Sequence, residues 1–127
     1  MNDLKERTKK FALRTIKLVE ALPRTRTGDV LGRQLLRSGT SVGANYRAAC
    51  RARSDAEFRA KLGIVEEEAD ESVFWLELIT DSGLMKPPRT TELLKEAHEL
   101  TAIMVSSIKT SRTSNTFKKP AANKSSN

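Results

Sequence analysis

The chain has 127 residues, 38% of them hydrophobic, and a net charge of +7, which suits one domain with one modest core. No apolar run reaches about 18 residues, so no membrane-spanning helix is expected, and the charged start MNDLKERTKK, with no apolar stretch behind it, argues against a secretory signal. The single Cys50 excludes an internal disulfide and a cysteine zinc site, and fits a reducing cytoplasm.

The charge is unevenly spread. Residues 1–61 hold 15 Lys/Arg against 6 Asp/Glu, residues 62–100 hold 3 against 10, and residues 101–127 hold 5 basic residues and no acidic one. A basic region attracts nucleic acid through counterion release. A basic and an acidic region on one chain can equally attract each other, within or between subunits.

No strand signal occurs, and four helices are predicted. The first spans residues 3–22, with Leu4, Thr8, Phe11, Thr15, Leu18 and Leu22 on one stripe, and Pro23 stops it. The second spans residues 30–53, entered through the polar linker 24–29 with Asp29 as N-cap. Its glycines Gly32, Gly39 and Gly43 each cost about 1 kcal/mol relative to Ala in a helix interior. RSGTSVGAN therefore reads either as a loop or as a small-xxx-small step that lets another helix come close. Both faces keep helical phase across the glycines, which favours the helix.

Ser54 caps the third helix, with Glu57 completing a capping box. Phe58, Leu62, Val65, Ala69, Ser72, Leu76 and Ile79 then repeat at alternating steps of four and three. Gly83 and Pro87-Pro88 break the chain, and the fourth helix runs over residues 90–111 with Leu93, Ala97, Leu100, Met104 and Ile108 on its inner face. Four amphipathic helices with short connections predict an all-α, antiparallel up-down four-helix bundle over residues 1–112. Residues 113–127, rich in Ser, Asn and Lys, are expected to be a disordered basic tail.

Two surfaces stand out. On the second helix, Arg33, Arg37, Thr40, Ala44, Arg47 and Arg51 follow one line, opposite Leu31, Leu35, Ser38, Val42, Asn45 and Ala49. The line spans roughly 27 Å and suits phosphate or an acidic protein better than a small substrate. On the third helix, Phe74 falls about 160° from the core stripe at 100° per residue, and Ile64, Val73, Trp75 and Leu78 also lie off it. A helix apolar nearly all round is covered on more than one side, which predicts an oligomer interface at Ile64, Phe74, Trp75 and Leu78. Acidic Glu66, Asp70 and Glu77 beside it could meet the basic line of a neighbouring copy head to tail, a contact that closes into a ring.

Catalytic chemistry is not found. His98 lacks the Glu-x-x-His spacing of a ferritin-like metal site, since position 95 is Lys. Glu67, Glu68 and Glu71 read as a solvated face, with Glu68 or Glu71 able to reach Ser38, Ser41 or Asn45 in a polar core layer. No phosphate loop or nucleophile elbow is present, and Cys50 reads as a packed thiol. Eight residues separate Arg89 from His98, too many for a HEPN-type ribonuclease. No enzyme, cofactor or metal is expected.

The run over residues 31–84, with Gln34, Arg37, Ser38, Ser41, Asn45, Phe58, Leu62, Glu68, Trp75 and Leu76, closely resembles the bacterial four-helix-bundle proteins named for 23S ribosomal-RNA intervening sequences. The likeness continues more weakly through the first helix, ELLKEAHEL and SIKTSR, covering most of residues 4–112. It implies an all-α bundle, a homopentameric barrel, and kinship with the accessory variability determinant of diversity-generating retroelements, a basic pentamer that binds nucleic acid and a reverse transcriptase. Nothing in this chain points to a reverse-transcriptase partner. The resulting expectation is a cytoplasmic, non-enzymatic homo-oligomer that contacts RNA or DNA phosphates through Arg33, Arg37, Arg47 and Arg51, aided by Lys118 and Lys119. Only 5% of residues are aromatic, which disfavours stacking on single strands. The rival is a ring that scaffolds another protein and touches no nucleic acid; a mobile-element or toxin–antitoxin accessory is a third possibility that the residues do not test.

Overall fold

A computed structural model describes residues 2–114, and among these it contains four helices and no strand: α1 (Asn2–Glu20), α2 (Arg26–Cys50), α3 (Asp55–Asp81) and α4 (Pro87–Ser114). Lys118, Lys119 and all but the start of the expected tail lie outside the described residues; Thr113 and Ser114 extend α4. No described helix is long and apolar enough to cross a membrane.

The boundaries of α2 and α4 differ from expectation, and the chemistry of the first turn explains both starts. α2 starts at Arg26 because Thr25, in extended conformation, accepts the Gly28 N–H at 3.0 Å. Asp29 is therefore not the cap but a first-turn carboxylate, favourable to the helix dipole and paired with Arg24 Nε at 3.2 Å. The helix ends at Cys50, short of residue 53. α4 begins at Pro87 rather than 90, since proline in a first turn lacks only an N–H that would have had no helical partner.

α3 keeps its expected ends. Ser54 Oγ accepts the Glu57 N–H at 3.0 Å, while Glu57 reaches back to the Arg53 N–H, one residue before the cap. Gly83, at φ +82°, turns the chain; its N–H bonds Thr80 O and the Leu84 N–H bonds Ile79 O, both at 3.1 Å, the two bonds of a Schellman motif.

The glycines of α2 lie within the helix and set its approach to α1. A Cβ on Gly39 would sit 2.7 Å from Thr15 Cγ2, on Gly43 3.3 Å from Thr8 O, and on Gly32 3.1 Å from Leu22 Cδ1. The order of these contacts makes α1 and α2 antiparallel. Thr8 and Thr15 can face so tight a seam because their hydroxyls bond back to Leu4 O and Phe11 O, each at 2.8 Å. The Ser38–Ser72 hydroxyl bond of 2.8 Å joins α2 to α3. Thr80–Thr90 at one end of the α3–α4 pair and Arg59–Ser111 at the other fix an antiparallel pairing there.

Consecutive helices pack extensively, but α1 approaches α4 only sparsely and the diagonal pairs make no close backbone approach. At the α1–α4 seam Arg7 bonds Glu96 through two nitrogens at 2.7 and 2.8 Å, and Glu99 at 2.7 Å. The core is built from Phe11, Leu35, Val42, Tyr46, Leu62, Val65, Leu76, Ile79, Leu100 and Met104. Val73 joins it, which corrects part of the two-sided reading of α3. Because α3 lies between α2 and α4 within its own chain, an apolar residue off the main stripe can still be internal.

Candidate nucleic-acid interface

α2 carries the expected arginine line on its outer face, but its members are not equivalent. Arg33, Arg47 and Arg51 are exposed, and no ion pair joins them to any carboxylate among the described residues. Arg37 is turned toward α3. Its guanidinium donates to Glu68 at 3.2 Å and makes a short ion pair with Glu71. The Trp75 indole N–H donates to the same Glu71 oxygen at 2.9 Å. The Arg37 hydrogen bond holds the Glu71 carboxyl below the usual carboxylate range, against a smaller opposing effect of burial, and the same bond raises Arg37.

This geometry corrects the reading of the glutamates. Glu68 and Glu71 are not a free solvated face, nor do they serve the core: they clamp Arg37 across the α2–α3 seam. The buried polar layer is instead Ser38 with Ser72, whose hydroxyl also donates to Glu68 O at 2.9 Å. Ser41 bonds Arg37 O, and Asn45 bonds Ser41 O, both within α2. Every buried side-chain polar atom among the described residues has a partner.

The antiparallel order creates a second basic concentration that the linear pattern did not reveal. It gathers the start of α1, the end of α2, the start of α3 and the end of α4 at one end of the bundle. Lys5, Lys9, Lys10, Arg47, Arg51, Arg53, Arg59, Lys61, Lys109 and Arg112 meet there, against Asp3, Glu6, Asp55 and Glu57. Arg59, Lys109 and Arg112 converge on a groove of about 550 Å³ between α3 and α4. Sequence patterning found Arg47 and Arg51 but not these three. Their neighbourhood depends on pairing segments some fifty residues apart; the end-to-end charge bias of antiparallel neighbours was the available signal.

The predicted oligomer surface is similarly divided. Phe74 is 50% exposed and meets Trp75 edge-on at 5.1 Å between centroids. Trp75 itself packs partly against the core, and Ile64 and Leu78 are half-buried. Exposed Glu67, Asp70 and Glu77 share the outer side of α3 with Phe74.

Elsewhere the chemistry is sparse. His98 is exposed, and no group of three His, Cys, Asp or Glu side chains among the described residues is placed to hold a metal. Tyr46 is almost fully buried, and burial, followed by the neighbouring Cys50, pushes its hydroxyl above the ordinary tyrosine range.

Comparison with known proteins agrees with this architecture. A search among curated proteins finds no match. One similar solved structure is a protein of unknown function from the S23 ribosomal protein family of Bacteroides thetaiotaomicron, with 35% identity and a TM-score of 0.78, covering 83% of this chain and 97% of that one. The family model described as 23S rRNA-intervening sequence protein matches residues 2–106, which takes in all of α1, α2 and α3 and most of α4. With three helices, most of the fourth and the Arg37, Ser38, Glu68 and Trp75 contacts lying inside that match, the chain belongs to the 23S rRNA-intervening sequence protein family.

Proposed function

We propose that this protein is a non-enzymatic, cytoplasmic, homo-oligomeric bundle that binds the phosphate backbone of structured RNA or DNA. The observation that carries the reading is the state of Arg33 and Arg47 on one face of α2 and of Arg51 at its C-cap: three exposed guanidiniums with no carboxylate partner among the described residues. Uncompensated cations on a rigid helix suit phosphate, which fixes position and carries little sequence information. Lys5, Lys9 and Arg53 extend the same field at the basic end. Arg37 does not count among the phosphate-binding arginines, because Glu68 and Glu71 already hold it.

Assembly belongs to the same proposal. A half-exposed Phe74 beside three carboxylates is a surface that another copy would cover, and a homopentamer is what kinship with the accessory variability determinant implies. The rival scaffold reading draws on the fate of Arg37, since one cation of the line is neutralised within the subunit and others could be neutralised between subunits.

Fluorescence anisotropy with a structured RNA and a duplex DNA across a salt series separates the two. Binding should weaken steeply with salt. Replacing Arg33, Arg47 and Arg51 by Glu should abolish most affinity, and the salt slope should fall by about 1 for every phosphate no longer neutralised. Arg37→Gln should leave affinity nearly unchanged. No binding by the wild type even at low salt would leave the scaffold as the surviving reading.

A further inference from the structure

We infer that the groove where α1 and α4 part is a docking site for an acidic amphipathic helix of another protein. The inference is independent of whether α2 carries nucleic acid.

Three of the four seams between neighbouring helices are closely packed, and the α1–α4 seam is not. The Arg7 clip to Glu96 and Glu99 fastens it at one level. Beyond the clip, toward the end of α1 and the start of α4, the seam opens into a groove of about 420 Å³. Its floor is apolar: Leu18 from α1, Met85 from the turn before α4, and Leu93 from α4 itself. Arg14 and Lys17 stand on one side and Arg89 on the other, with Glu92 the one carboxylate in the lining. No ion pair joins these three cations to a carboxylate among the described residues; Arg14 only adds to the positive field at Glu96.

The lining dictates the occupant. Helices form both walls, so there is no strand edge to offer backbone hydrogen bonds. A segment lying here must satisfy its own backbone, and a helix does that. Arg14 and Ala21 mark the ends of the groove on α1. They are seven residues apart, roughly 10 Å along the axis, which is the span from i to i+7 on a visiting helix. Its apolar stripe would settle on Leu18, Met85 and Leu93, and carboxylates flanking that stripe would meet Arg14, Lys17 and Arg89. Leu13, 56% exposed and one turn before Lys17, continues the apolar surface onto the outside of α1.

Two other occupants fit less well. A nucleic-acid strand would lay its charged backbone over an apolar floor with no aromatic ring for a base to stack on. A second copy of this chain would have to offer its own acidic surface, on α3. Phe74 is the single large apolar residue exposed there, so no stripe matches the floor. The groove opens between α1 and α4, and α2 makes no close backbone approach to α4. It therefore lies apart from the outer face of α2, and both surfaces can be occupied at once.

The test uses the full chain with labelled methionine methyls and a synthetic helix of about five turns, with Leu at i, i+3, i+4 and i+7 spacing and Glu around it. Fluorescence anisotropy reads the binding. NMR of the methyls reads its place, since Met85 lines the groove and Met104 lies in the core. We expect saturable binding that moves Met85 and not Met104. The same peptide with Lys for Glu should not bind. Lys17→Glu with Arg89→Glu should weaken binding about tenfold. Ala21→Trp, which fills the groove from an exposed position, should weaken it with no change of charge. Replacing Arg33, Arg47 and Arg51 by Gln should leave the affinity within about twofold at physiological salt, where distant charges are screened.

No binding, or binding that leaves Met85 still, would overturn the inference. Equal binding of the Lys peptide would do the same, since it would mean apolar adhesion alone. A peptide of this chain's own residues 64–81 that moves Met85 as far as the probe does would make the occupant a second copy. A duplex DNA that moves Met85 would make it nucleic acid. Either result overturns the inference and leaves the reading of α2 untouched.

Discussion

Helix α1 is held on its two sides by different physics. Toward α2 the fit is steric: glycines bring the backbones together, and Thr8 and Thr15 fill the seam with hydroxyls already bonded to their own helix. Toward α4 the packing is sparse, and Arg7 with Glu96 and Glu99 supplies a polar clip. Dispersion contacts fall off within an ångström and ignore salt and pH, whereas a partly exposed ion pair responds to both. The first seam should therefore break through volume and the second through charge. A groove at the second, lined by Arg14, Lys17, Leu18 and Met85 among others, marks where packing gives out.

The largest effect should come from the tight seam. Gly39→Val would drive a branched side chain into Thr15, whose Cβ would already lie 3.1 Å from the first added carbon. We expect a loss of about 3 kcal/mol, the upper range for overpacking, measured by urea denaturation. Pairing it with Thr15→Ala should recover part of the loss, and a strictly additive pair would mean the two residues do not share the seam.

A smaller effect is expected at the clip. Arg7→Met should cost about 1 kcal/mol, as a partly exposed pair does, and hydrogen exchange should quicken in α1 before α3. Exchange that quickens uniformly would place Arg7 in the global unfolding unit instead.

The mildest probe is pH. The Arg7 hydrogen bond holds Glu96 below the usual carboxylate value of 4.5 despite the opposing effect of burial. A group depressed on folding contributes stability that is fully present above its unfolded pKa and lost as pH falls through its folded one. The α1–α4 seam should thus loosen below about pH 4.5, read as a rise in α1 exchange that Arg7→Met no longer shows. Gly39 and Thr15 carry no titrating group, so the tight seam should have no matching transition of its own.

Much of the bundle was legible because its signals are local. The α3 stripe from Phe58 to Ile79, the Ser54 cap and the Gly83 stop depend on residues a few positions apart. Helical phase across Gly39 and Gly43 correctly favoured a helix over a loop. The start of α2 differs from the one expected at Asp29 because Thr25, four residues earlier, also carries a capping oxygen, and the Thr25–Gly28 bond that selects it is seen only in the structure. Proline at 87 reads as a break in the sequence, though it equally opens a helix, as it does in α4. Facts that are not local lay beyond the reach of sequence spacing. Arg37 belongs to the same line as Arg33 and Arg47 by spacing, yet its position one step toward α3 brings Glu68 and Glu71 within reach. Arg59, Lys109 and Arg112 become neighbours only once α3 and α4 are paired.

The Glu71 junction has an optical consequence. Trp75 is the only tryptophan in the chain, and its indole N–H rests on the carboxylate that also holds Arg37. The protein thus carries an intrinsic chromophore wired to one chosen cation. Drawing Arg37 away from Glu71 would leave that negative charge uncompensated beside the indole and shift its emission, with no label attached. If ligands reach only Arg33, Arg47 and Arg51, emission should stay still while anisotropy rises, and the two signals together would report which arginines the ligand uses.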